Sequence, residues 1–140
     1  MSRRLAREIA FKTLFQLDLG KNEIEPTLSG LLAESGISRE NAVFARELVN
    51  GTAEALAEID RAISQYLQKW QLERLAAADR NILRLAAYEL LYRPDIPAVV
   101  SINEALELGK LYHSEEAAKF LNGVLDKLAR DHGRVDKVDK

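Results

Sequence analysis

Apolar residues recur along this chain every three or four positions and rarely alternate with polar ones. Val43, Leu48, Leu56, Ile59, Ile63 and Leu67 follow that period, and so do Ala117, Phe120, Leu121, Val124, Leu125 and Leu128. This is the signature of helices with one buried stripe. No β-branched alternating run of useful length is present, so the chain reads as all-α. Three prolines and seven glycines punctuate it. A first helix is expected from about Arg3 to Leu19, stopped by Gly20. A second begins near Pro26, whose fixed φ suits a first helical turn, and ends before Gly36. Ser38 caps a third. It is expected to run on to Leu67 as one long helix with a bend at Gly51, where glycine costs about 1 kcal/mol relative to alanine. Trp70 falls in a short connection.

A fourth helix is expected from near Asp79 through Ile82, Leu83, Leu85, Ala86, Leu90 and Leu91, ended by Pro94 and Pro97. Ser101-Ile102-Asn103-Glu104 has the form of a capping box, opening a fifth helix that runs to about Tyr112. Ser114 opens a sixth, and Gly133 stops it. Asn122 and Gly123 weaken its interior, which suggests that another backbone comes close there. Six helices without internal repeats predict two packed three-helix bundles. They form a single domain over 1–133, with an N-terminal bundle at about 1–70 and a C-terminal one at about 71–133. The 134–140 segment of alternating base, acid and valine is expected to be a flexible tail.

Charge adds a partition that the net value of −2 conceals. Residues 1–12 carry four bases and one acid, net +3. Residues 13–118 are net −7, and residues 119–140 net +2. Basic ends around an acidic middle suit a protein whose termini meet an anion and whose middle meets a basic partner.

Candidate chemistry is sparse, and no enzyme is expected. Cysteine is absent, which removes disulfides, thiolate metal sites and cysteine nucleophiles. His113 and His132 each sit near an expected helix end, a structural placement. No Glu-x-x-His pair offers the ligands of a metal-binding bundle, so neither metal nor other cofactor is expected. Gly51, Gly109 and Gly123 are isolated and build no phosphate cradle. Asp60-Arg61 and Asp79-Arg80 read as caps, surface pairs or helix–helix links. Arg80 and Arg84, four apart on one helix face, are expected to pair with acids such as Glu104 or Glu107. No apolar run approaches the ~18 residues needed to cross a bilayer, and the start lacks the form of a signal peptide. The expected location is the cytoplasm.

The first helix carries the strongest functional signal. Arg3, Arg4, Arg7 and Lys12 crowd its start. At about 100° per residue, Arg4, Arg7 and Phe11 share one side, flanked by Leu14 and Phe15. Guanidinium groups beside rings suit single-stranded nucleic acid, pairing with phosphate and stacking on bases. On spacing alone, Phe11 and Phe15 serve equally as core residues. A second candidate is Lys119-Phe120, near a helix N-terminus that favours phosphate. There too, Phe120 as a base-stacking ring and Phe120 as core fit the spacing equally.

Several segments in order now point to a family. Ala6-Arg7-Glu8-Ile9-Ala10, Asp79-Arg80-Asn81-Ile82-Leu83-Arg84 with Tyr88-Glu89-Leu90, Val100-Ser101-Ile102-Asn103-Glu104-Ala105 and Phe120-Leu121-Asn122-Gly123-Val124-Leu125-Asp126 together resemble NusB, the bacterial transcription antitermination family, over nearly the whole chain. The resemblance implies the two-bundle helical fold. It also implies a pairing with NusE, a small-subunit ribosomal protein, to bind largely single-stranded boxA RNA. The heterodimer would then help the RNA polymerase antitermination complex pass terminators, notably in ribosomal RNA operons. Carried over, it puts Arg3, Arg4 and Arg7 on phosphates and makes Lys119 and Phe120, with Glu116 just before them, a second RNA patch. Phe15 and Asp79 are the candidate residues for the protein partner. The family often has a longer basic arm than the two residues before Arg3, so weak RNA binding by the isolated chain is expected. Some members form homodimers that cover the RNA surface, which makes a homodimer the competing assembly. Two alternatives stand beside this reading. One is a helical protein-interaction module without RNA binding. The other is the similar helical domain of ribosomal RNA cytosine methyltransferases, disfavoured because no cofactor-binding α/β domain accompanies these residues.

Overall fold

The computed structural model describes residues 3–20 and 22–134. Seven α-helices and one short 3₁₀ turn are found there: α1 (Arg3–Leu19), α2 (Ile24–Ser35), α3 (Arg39–Glu54), α4 (Leu56–Ser64), the turn Leu72–Arg74, α5 (Ala77–Tyr92), α6 (Ala98–Tyr112) and α7 (Glu115–Asp131). Helices α1, α2 and α3 pack together, and so do α5, α6 and α7. Helix α5 joins the two groups, because α1, α3 and α4 all lie against it. The all-α, two-bundle architecture is therefore the one the apolar periodicity predicts. One continuous core runs through both bundles, from Ala6, Ile9 and Phe11 through Leu48 and Ile63 to Leu83, Leu121 and Leu125.

Local signals account for most helix ends. Ser38 Oγ accepts from the Asn41 amide, and Ser114 Oγ accepts from the Ala117 amide, each satisfying a donor at a helix start. Gly36 closes α2 in the left-handed region at φ 72°, where a side chain would be strained.

Four expectations need correction. The long third helix is two helices, broken at Ala55 and not at Gly51. Its amide turns back to the Gly51 and Ala53 carbonyls, and the bend lets Ile59 and Ile63 of α4 reach the core beside α5. Gly51 has another role: a Cβ there would lie 2.3 Å from the Tyr88 ring, so its absence lets that ring lie on α3. Second, Ser101 caps nothing. Helix α6 already starts at Ala98 after Pro97, and the Ser101 amide bonds back to the Pro97 carbonyl inside the helix. Third, Gly123 has open space above it, and the close approach between α6 and α7 occurs at Gly109, against Leu121 and Ala118. Fourth, Pro26 is the third residue of α2, which begins at Ile24.

Arg134, assigned from sequence to the tail, is anchored: its guanidinium donates to the carbonyls of Leu90 and Ile96. The remainder of the expected flexible tail, 135–140, lies outside the described residues.

Candidate nucleic-acid interface

Helix α1 is amphipathic in an uneven way. Ala6, Ile9, Ala10 and Leu14 fix one side of it in the core, and this sets where each arginine points. Arg3 lies 4.0 Å over the face of Phe44 from α3, a cation–π contact that orients the guanidinium while the residue stays exposed. Arg4 reaches across to α6. Its Nε and Nη2 donate to the two oxygens of Glu104 at 3.0 and 2.9 Å. The Arg4 side chain is still 64% exposed, against 18% for Glu104. The hydrogen bond and charge from Arg4 hold the Glu104 carboxyl below its ordinary range, against the opposing effect of burial.

Arg7 behaves differently, and its expected contact with phosphate is corrected. It is 4% exposed, and Nε and Nη2 donate to Glu89 of α5 at 2.8 and 2.9 Å. Glu89 also accepts from Ser101 Oγ at 2.6 Å. Arg7, Glu89 and Ser101 thus form a buried polar knot that ties α1, α5 and α6 together. Buried to this degree, the guanidinium presents almost no surface to a phosphate. The Ser101 that resembled a cap belongs to this knot.

Between α1 and α6 runs a groove of about 350 Å³, lined in part by Arg4, Glu8, Glu104, Glu107, Lys110 and Leu111. Its charges are mixed, with the exposed cations Arg4 and Lys110 paired to Glu104 and Glu107, and exposed Arg3 precedes Arg4 on α1. At the start of α7, Glu116 and Lys119 are exposed, whereas Phe120 is half-buried and packs against the core. Helix α6 contacts both α1 and α7, and so connects the two patches.

The partner candidates separate as well. Phe15 is half-buried and its ring lies 5.8 Å from that of Phe11, which in turn lies 4.9 Å from Tyr112. Phe11 itself is core, at 2% exposed. A shallow groove of about 230 Å³ lies over Phe15, Lys12, Gln16, Ala78 and Tyr112. The Tyr112 hydroxyl donates to Glu8, and burial together with that bond pushes its ionisation up. Asp79 is corrected as an outward-facing acid. It is buried, and its Oδ1 lies 2.9 Å from Nδ1 of His113, which covers it. His113, which follows Tyr112 in the chain, is exposed, and so is Gln16 in the groove lining.

Arg80 and Arg84 do not pair with Glu104 or Glu107. Arg80 bonds Asp18 at 2.7 Å and donates to the carbonyls of Leu72, Glu73 and Leu75. Arg84 makes a two-pronged bond to Asp60 and approaches Asp18. They fasten α1, α4 and the 72–75 turn to α5, so Asp60 is a helix–helix link. Nothing in the spacing of Asp18, Tyr112 or His113 marked their roles, because each depends on how the two bundles meet.

The model of the NusB family matches residues 4–130. The chain belongs to the NusB family. It is 49% identical to the transcription antitermination protein NusB of Desulforamulus reducens, an alignment covering 91% of this chain and 90% of that protein. The solved structure of T. maritima NusB is 43% identical, with a TM-score of 0.88, over 94% of this chain and 93% of that one. A NusB solved with NusE in complex with double-stranded RNA is 29% identical, with a TM-score of 0.86, over 92% of this chain and 96% of that one. This is a family of antitermination factors and not of enzymes. Among the described residues, no helix is long and apolar enough to cross a membrane.

Proposed function

We propose that this protein is an RNA-binding transcription antitermination factor that acts with NusE. The observation that carries this reading is the match of its whole helical framework to a NusB described in complex with NusE and RNA. The local chemistry agrees. Arg3 and Arg4 offer exposed guanidinium groups at the start of α1, and Lys119 offers an ammonium at the start of α7. Phosphate contacts of this kind dominate affinity for RNA. The groove over Phe15, Ala78 and Tyr112 is the proposed seat of NusE. Arg7 supports the RNA edge from inside, and Glu116 and Phe120 flank the second patch.

The proposed RNA is a boxA element, bound single-stranded and handed to the RNA polymerase antitermination complex in the cytoplasm. The test is a titration of a boxA oligonucleotide, as a single strand and as a duplex, with and without NusE. Tight, salt-dependent binding of the single strand that strengthens when NusE is added is expected. Equal affinity for a scrambled strand would remove boxA recognition, and no gain from NusE would remove the heterodimer. A homodimer is the competing assembly. It predicts RNA affinity that falls as protein concentration rises.

A further inference from the structure

The groove between the α3–α4 junction and α5 shares no lining residue with the α1–α6 groove or the Phe15 groove. Its volume is about 570 Å³, and Gly51, Glu54, Ala55, Ala57, Glu58, Tyr88 and Tyr92 line it. We propose that it is a docking surface for an extended, arginine-bearing segment of a protein partner.

The groove is built around two tyrosine rings. Tyr88 lies where a side chain on residue 51 would have to be. Tyr92 stacks beside it, with centroids 5.7 Å apart and planes 21° from parallel. Tyr92 stays 40% exposed, so ring surface is left open to a ligand. Its hydroxyl donates to Glu58 Oε1 at 2.7 Å, which fixes that carboxylate at the edge of the rings. One such bond leaves lone pairs of the carboxylate for further donors. Glu54 and Glu58 are both exposed, and among the described residues neither has a basic partner. The neighbouring cation, Arg93, is held by Asp95 and Glu47, so its charge is already balanced.

Aromatic faces beside unpaired carboxylates attract a cation and repel phosphate, so RNA is the wrong ligand here. Arginine fits better than lysine. Its planar group stacks on a ring and meets a carboxylate with two donors in a fixed fork, whereas an ammonium is a compact, strongly hydrated point charge. The protein already uses this geometry internally, where Arg3 lies over Phe44.

The test uses the full chain and two fluorescein-labelled peptides, one alternating glycine with arginine and one alternating glycine with lysine, read by fluorescence anisotropy. The arginine peptide is expected to bind more tightly than the lysine peptide. Glu54→Gln with Glu58→Gln should weaken it about tenfold, and Tyr92→Leu about threefold. Tyr92→Phe, which keeps the ring, should weaken it less than Tyr92→Leu. Glu34→Gln with Glu40→Gln removes two exposed charges elsewhere and should leave affinity unchanged, and denaturation midpoints check that every variant folds. No binding to the unaltered chain, or equal weakening by both double variants, overturns the proposal. Sedimentation that shows self-association abolished by the Glu54 and Glu58 changes would make a second copy the occupant, and overturns it too.

Discussion

Glu89 holds Arg7 with both carboxylate oxygens, at 2.8 and 2.9 Å, in a site where Arg7 is 4% and Glu89 1% exposed. A pair so deeply buried cannot be broken from one side without stranding the other charge. Arg7→Ala is therefore expected to destabilise the protein by about 3–5 kcal/mol. Chemical denaturation reads that loss directly. Under conditions where the variant remains folded, the slope of log affinity for RNA against log salt should match the unaltered protein. A lowered slope with an unchanged denaturation midpoint would return Arg7 to the RNA surface.

Arg4 presents the opposite case, because Glu104 holds it at the surface. An RNA phosphate must share that guanidinium with a carboxylate that already takes two of its five donors. Glu104→Gln removes the competing charge and leaves a neutral acceptor of the same shape. Affinity for a boxA strand is expected to rise several-fold at low salt, because the existing Arg4 contact loses its neighbouring negative charge. Arg4→Ala should lower the salt slope by about 0.7, the value of one contact to a single strand. If Glu104→Gln weakens binding, the carboxylate serves to orient Arg4 and the competition idea fails.

The two arginines show how far the sequence could be read. Periodicity placed α1, and the family resemblance placed its arginines near RNA. Neither could separate Arg4 from Arg7, because the difference lies in the partners, 100 and 82 positions away. Ser101 failed for the same reason: its spacing to Glu104 fits a capping box, but Pro97 starts the helix earlier and Glu89 takes the hydroxyl. Caps set by near neighbours, at Ser38 and Ser114, were legible. The break at Ala55 was not, since it answers to the packing of α4 on α5.

Phe120 is half-buried, so its two candidate roles are separable by two measurements on one variant. Packing against the core predicts a stability loss for Phe120→Ala that approaches the roughly 3–5 kcal/mol of a fully buried phenylalanine. Stacking on a base predicts a loss of about 1–3 kcal/mol in RNA binding. The ring's partial exposure leads us to expect both effects, with the stability loss below the fully buried value. Phe120→Leu should restore most of the stability and little of the binding. Full recovery of RNA affinity by leucine would remove the stacking role.

Asp18 gives the fold a calculable response to acid. Burial works to raise its pKa, but hydrogen bonds from Arg80 and Asn81 and the charges of Arg80 and Arg84 outweigh it, and the carboxyl is held below its ordinary 3.8. A group whose pKa is lowered by folding stabilises the protein above the unfolded value, and that stabilisation fades as pH falls through the folded value. The unaltered protein should therefore be more stable than Asp18→Asn at pH 7. The gap should be constant down to about pH 5 and then close as pH drops below 3.8. Glu25, Asp95 and Glu104 are also held low by arginine partners, so acid weakens both proteins. The difference between the two denaturation midpoints isolates Asp18. A gap that stays constant through this range would mean that Asp18 joins α1 to α5 by hydrogen bonding alone, with no contribution from its charge.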